Sequence, residues 1–270
     1  MNEPRREGTM PKITTDDGIA IHYEFDGPED APVLLLSNSL GTDLRMWNAQ
    51  VEAFSGARRI LRYDSRGHGK SDAPQGPYSI ERLGRDVLAL MDALGLEKVD
   101  YCGLSKGGMV GMWLGTNAGG RFGRMVYANT AAHMPTEEMW RHRAATVRAE
   151  GMAAVVEAVV NRWFTEAFQQ NDDAEVGRIR QMILGTAPEG YAGCCEAIAV
   201  MDQRTSIRAV QNPVLVIAGA EDPATPPDYG HQIAEAIAGA ELVVIPQAAH
   251  LSNIEQSALF NEALAQFLNG

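Results

Sequence analysis

VDYCGLSKGG, residues 99–108, holds the pattern Gly-x-Ser-x-Gly between an apolar strand, Val99–Cys102, and a helical run, Met109–Leu114. That strand–turn–helix setting gives the five-residue pattern its meaning, because the bare letters recur by chance in many proteins. So tight a turn strains the central serine, and a Cβ at Gly103 or Gly107 would crowd the neighbouring strand or helix. Ser105 is the candidate nucleophile, with Gly108 adding further room.

Working outward, continuous apolar runs alternate with helical stretches. Val33–Ser37, Arg58–Tyr63, Lys98–Cys102, Met125–Ala128, Val214–Ala218 and Leu242–Ile245 read as strands buried on both faces, and the helices between them imply a parallel sheet. Ile80–Leu94 is one such helix, with Leu83, Val87, Leu90, Met91 and Leu94 on one stripe; Ile254–Leu268 is another. Lys12–Phe25 reads as a hairpin about Asp17-Gly18, which brings the strand total to eight. Residues 135–208 break the rhythm, with helical segments, no strand, and breaks near Gly151, Thr165, Asp172 and Pro188. We expect a helical cap there, with residues 11–134 and 209–270 as the core and residues 1–10 as a disordered tail.

The chain has 270 residues, 45% hydrophobic, and 35 acidic against 23 basic side chains, a formal net charge of −12. One core of this size is feasible, and the acidic balance argues against nucleic acid as a partner. There is no signal-like apolar stretch at the N-terminus and no membrane-length apolar run, so no membrane partner is expected. Three cysteines, two of them adjacent (Cys194 and Cys195), argue against a disulfide framework, and we expect a cytoplasmic protein.

A serine hydroxyl needs a base within hydrogen-bond reach and an acid to orient that base. His250 follows the last strand in the loop PQAAH, on the same sheet edge as Ser105. His22, His142 and His231 fall in the hairpin, the cap and a helix; His133 is a closer rival, after the strand that ends at Ala128. Asp222, in GAEDP after Val214–Ala218, is the candidate acid, with Glu221 as its neighbouring alternative. Asn129 stands after the preceding strand, where a carboxylate could otherwise serve. For the oxyanion, the Lys106 backbone N–H opens the helix after the serine, and the loop Ser37–Gly41 offers the Leu40 N–H, unless that loop is only a strand-to-helix turn. DSRGHGKSD (64–72) ends like a phosphate loop, yet Asp64 occupies the position where that loop requires glycine, so we read a buried polar turn bracing the site. No zinc spacing or dinucleotide fingerprint occurs, and no metal or cofactor is expected.

The order Ser105, Asp222, His250 is that of the α/β-hydrolases. SNSLGTDLRMW (37–47), LRYDSRGHGKSDAPQGPYSIERLGRDVLALMDALG (61–95), GLSKGG (103–108), PEGYAGCCEAI (188–198), VIAGAEDPATPP (216–227) and AAHLSNIEQ (248–256) together resemble the 3-oxoadipate enol-lactonases. The resemblance runs from about Pro11 to Leu268, and SNSLGTDLxMW and PEGYAGCC are its most particular parts. It implies an α/β-hydrolase fold, an eight-stranded mostly parallel sheet with a helical cap insertion. It also implies cofactor-free hydrolysis of a small anionic lactone through an acyl-enzyme on Ser105. General carboxylesterases, haloperoxidase-like perhydrolases and binding-only relatives share the scaffold and remain alternatives.

One departure from the resemblance is Lys106, where these lactonases usually carry an apolar residue. Its amine is expected to be salt-bridged or solvated, with substrate contact as the alternative. Trp140, Arg141 and Arg143 are candidate substrate contacts from the cap, the tryptophan by packing and an arginine by a carboxylate fork. Cys194 and Cys195 are expected to pack rather than react, as are Met109, Met112 and Met125.

Overall fold

The computed structural model describes residues 10–270, so the expected tail lies outside the described residues apart from Met10. Eight strands form one sheet in the order β1-β2-β4-β3-β5-β6-β7-β8. They are β1 (Lys12–Thr14), β2 (Ala20–Asp26), β3 (Val33–Ser37), β4 (Arg59–Tyr63), β5 (Val99–Leu104), β6 (Phe122–Ala128), β7 (Val214–Gly219) and β8 (Glu241–Ile245). The hairpin strands pair antiparallel and β2 joins β4 antiparallel; every other pairing is parallel.

Helices cover both faces. On one side α1 (Asn48–Phe54) packs with α11 (Ser257–Asn269); on the other lie α2 (Ile80–Ala93), α3 (Lys106–Ala118) and α9 (Pro227–Ala236). α2 shows why such a helix forms here. The Ser79 side chain caps it by accepting from the Arg82 N–H, and Gly95, at φ +65°, follows its end. Leu83, Val87, Leu90 and Met91 are buried on one stripe, each contributing about 1.5–3 kcal/mol by leaving water.

The register of the central strands levels their carboxyl ends. Ser37 pairs with Gly103, Leu104 with Ala128, Ala128 with Ile217, and Gly219 with Ile245. Residues just beyond those ends therefore share one rim.

Two expectations need correction. The last strand is not buried on both faces: β8 is the sheet edge, and only Ile245 of its five residues is fully buried. The C-terminal helix is two helices, α10 (Ser252–Glu255) and α11, interrupted at Gln256, whose backbone leaves the helical region at φ −125°, ψ 53°. Several strands are also longer than their apolar runs, β5 by Gly103 and Leu104 and β6 by Phe122–Arg124, because ladder hydrogen bonds continue past the hydrophobic stretch.

Between β6 and β7 lie α4 (Glu137–Glu150), α5 (Val156–Trp163), α6 (Glu166–Asn171), α7 (Asp173–Gly185) and α8 (Pro188–Ala199). α8 presses directly on the turn after β4: a Cβ on Gly190 would lie 2.1 Å from the Gly67 carbonyl oxygen and 2.3 Å from its Cα. No helix among the described residues is long and apolar enough to cross a membrane. Gly190→Ala should cost about 1–3 kcal/mol of stability through overpacking, measurable as a lower urea midpoint; an unchanged midpoint would show that this backbone contact yields freely.

Candidate active site

Ser105 joins β5 to α3 with φ 56° and ψ −116°. A backbone held there stores on the order of 1–3 kcal/mol and persists only where its surroundings enforce it. They do so by close approach: a Cβ on Gly103 would sit 2.3 Å from the Gly107 carbonyl oxygen, and one on Gly107 would sit 2.1 Å from that of Ser37. The Ser105 N–H donates to the Ala128 carbonyl at 2.9 Å, which ties the turn to β6.

At the end of β7, Asp222 meets His250, whose Nδ1 lies 2.8 Å from Asp222 Oδ2. The Ala224 and Thr225 amides and the Thr225 hydroxyl also donate to Asp222, at 2.8, 2.9 and 2.7 Å. Burial opposes ionisation of this carboxyl, yet the charge and hydrogen bond of His250 and the Thr225 donors hold it below the usual range. An ionised Asp222 accepts from the Nδ1–H of His250, which leaves Nε2 as the ring nitrogen not engaged by the acid. Glu221, the rival acid, is exposed and makes no hydrogen bond to His250; His133 bonds the Met201 carbonyl instead.

Asn129 explains why no carboxylate is required at the end of β6. Its amide donates to Asp222 Oδ2 at 3.0 Å and to the Ala249 carbonyl at 3.1 Å, while its oxygen accepts from the Ser252 hydroxyl at 2.5 Å. A second acid there would place two buried carboxylates side by side.

The Ser37–Gly41 loop is held from behind. Asn38 donates to the Tyr63 carbonyl and accepts from the Trp47 indole, at 2.8 and 3.0 Å. His68 Nε2 accepts from the Gly41 N–H at 2.9 Å, so this buried ring is neutral and its Nδ1–H faces the Arg66 carbonyl at 3.1 Å. Burial, and then the nearby Lys106, push the His68 pKa well below its ordinary 6.5. Neither the Leu40 nor the Lys106 amide donates to any described residue, which leaves both free for an anionic oxygen.

Neither expectation for the Lys106 side chain holds. Lys106 is 1% exposed, its Nζ has no partner among the described residues, and it is absent from the cavity that Ser105 faces. The amine lies within the electrostatic reach of His68, Cys194, Asp86 and Asp64. Burial lowers its pKa from 10.5. Cation density at a helix N-terminus is unfavourable as well. The cysteines are buried and free, and burial raises all three thiols.

Ser105 and His250 open onto a cavity of about 280 Å³, together with Ser39 and Leu40. The helical segment contributes Trp140, Arg143, Arg162, Trp163 and Tyr191. Arg141 is a correction: it is exposed and paired with Glu137 at 2.6 Å, because its position on α4 turns it to solvent. Arg143 lies against the Trp140 ring, 4.7 Å from its centroid. Arg162 was not among the sequence candidates, since nothing in its neighbourhood distinguishes it from a solvated arginine. Its pKa is lowered by burial and then by Arg143. Among the described residues no Asp or Glu lines this cavity, neither arginine forms a salt bridge, and the buried Trp140 indole nitrogen has no partner. Among the described residues no cluster of three or more His, Cys, Asp or Glu could hold a metal ion.

A strained serine, a histidine–carboxylate pair and two free amides on the rim of a mostly parallel sheet define a hydrolase of the α/β type, and residues 32–257 match the alpha/beta hydrolase fold family. The chain is 40% identical over 252 residues to 3-oxoadipate enol-lactonase 2 of Acinetobacter baylyi, covering 93% of this chain and 94% of that protein. It is 39% identical over 256 residues to that organism's 3-oxoadipate enol-lactonase 1, covering 95% and 96%. The crystal structure of the enol-lactonase from Burkholderia xenovorans LB400 superposes with a TM-score of 0.94 at 44% identity, over 96% of this chain and 100% of that one. The chain belongs to the 3-oxoadipate enol-lactonase family.

Two outcomes follow from the buried bases. Lys106→Met should raise stability at pH 7 by about 1–3 kcal/mol, the cost of an unpartnered buried polar group, and leave KM for an anionic lactone unchanged; a raised KM would place the amine on the substrate after all. His68 stays neutral in the folded chain while the unfolded chain takes up a proton below about pH 6.5. Its contribution to stability is therefore present above that pH and falls by about 1.4 kcal/mol per unit as pH drops towards the folded pKa. Urea titrations of His68→Gln between pH 7 and 5 should lack that component of the slope.

Proposed function

We propose that this chain opens 3-oxoadipate enol-lactone to 3-oxoadipate, with Ser105 as nucleophile, His250 as base and Asp222 as its orienting acid. The observation that carries the substrate class is the cavity itself: two arginines without acidic partners among the described residues and an indole N–H share it with Ser105 in a protein of net charge −12. Two like charges in a half-buried space repel each other, and an entering carboxylate relieves that repulsion while accepting charge-assisted hydrogen bonds. Residues 135–208 act in this reading as a cap over a core of residues 11–134 and 209–270.

The chemistry follows from those positions. Ser105 Oγ attacks the lactone carbonyl as His250 Nε2 takes its proton, and the Leu40 and Lys106 amides donate hydrogen bonds to the oxygen on which negative charge develops. Collapse of the tetrahedral species breaks the ring C–O bond. The proton on His250 passes to the departing enol oxygen, and the enol, still tethered through the acyl group, tautomerises to the ketone. A water deprotonated by His250 then cleaves the acyl-enzyme and restores Ser105.

Ser105→Ala should lower turnover by about a millionfold while the chain stays folded, as expected when the three side chains act as a unit; substantial remaining lactonase activity would refute the nucleophile. Arg143→Ala and Arg162→Ala should each raise KM for the enol-lactone by about 10- to 100-fold, the value of a charge-assisted hydrogen bond, and leave KM for p-nitrophenyl acetate nearly unchanged. Equal losses on both substrates would remove the arginines from carboxylate recognition, and a preference for the simple ester would favour a general carboxylesterase.

A further inference from the structure

AAHLSNIEQ (248–256) continues past the proposed base to a glutamate that the mechanism above does not use. Glu255 is 8% exposed and ends α10. Its two oxygens grip two different segments. Oε1 accepts from the Thr165 N–H at 3.0 Å and from the Thr165 hydroxyl, and Oε2 accepts from the Ala249 N–H at 2.7 Å. Ala249 immediately precedes His250, and Thr165 lies three residues after Arg162 in the helical segment. A backbone bond runs parallel to this bridge, from the Leu251 N–H to the Trp163 carbonyl at 3.1 Å, and the Trp163 ring stands 6.1 Å from that of His250 at a tilt of 31°.

We propose that Glu255 is a positioning residue that makes the alignment of His250 depend on the seating of residues 162–165, and so links the arginine-lined end of the cavity to the base. This rests on the reading of His250 as base. The chemistry of the side chain supports it: only a carboxylate presents acceptors to donors on both sides. A glutamine in its place satisfies one segment and turns an N–H against the donors of the other. The Thr165 hydroxyl also caps α6, accepting from the Phe168 N–H at 3.2 Å, so its loss loosens the segment at the junction with Glu255.

The test measures kcat and KM for Glu255→Gln, Thr165→Val, Thr165→Ser and the Glu255→Gln/Thr165→Val pair on the enol-lactone and on p-nitrophenyl acetate. Misaligning a base by a fraction of an ångström costs about 10- to 100-fold. Glu255→Gln and Thr165→Val should each lose kcat on both substrates, even though the small ester has no carboxylate for the arginines, with KM for the ester little changed. Thr165→Ser should retain activity, and the double variant should be no slower than Glu255→Gln alone. Wild-type kcat in Thr165→Val, or losses that multiply in the pair, overturns the proposal. In the unliganded protein the low-field Nδ1–H proton resonance of His250 should also move in Glu255→Gln, and an unmoved resonance counts equally against it. Failure of a fluorophosphonate to label Ser105 in the parent would instead sink the functional reading, which keeps the two failures apart.

Discussion

The turn at Ser105 constrains everything around it. Its φ of 56° is sterically costly for a serine, and it survives because β3, β5 and α3 meet at two glycines with no space for a Cβ. The same close approach brings the end of β3 against the start of α3, so the Ser37–Gly41 loop stands beside the Lys106 amide. Strain at Ser105 and the gathering of two free amides are consequences of one packing arrangement.

Around that turn, the buried polar groups are ordered by acceptors that cannot donate. Asp222 collects His250, Thr225 and Asn129; Asp64 collects His22, Leu44 and Lys70 at 2.9 Å each; Glu255 collects Ala249 and Thr165. Each carboxylate fixes loops that carry site residues, and each would be expensive to bury with fewer donors. The acidic excess of the chain lies elsewhere than the cavity, whose charged lining is cationic, a separation suited to an anionic ligand.

Much of this was legible in local patterns. Continuous apolar runs mark β3, β5 and β7 because a parallel strand hides both faces, whereas β8 follows the same pattern and is an edge, since a run of apolar letters does not record which neighbours are present. The break at Gln256 was hidden because Ile254–Leu268 keeps helical periodicity across it; the interruption coincides with the Glu255 carboxylate bonding inward, a contact with residues 90 positions away. PEGYAGCC reads as particular without a stated cause until α8 is seen resting Gly190 on Gly67 and Gly193 on the Tyr78 ring.

By itself the sequence determined the sheet, the sharp serine turn and the chain order of the three polar residues, because each depends on neighbours a few positions away: side-chain periodicity, glycine spacing, a loop after a strand. Only the tertiary structure decided which carboxylate of the Glu221–Asp222 pair meets His250, that Arg162 faces the cavity while Arg141 faces water, and that Lys106 is sealed away from both solvent and cavity. Those outcomes turn on the direction of a side chain relative to distant segments, and direction is set by packing between elements rather than by the letters on either side.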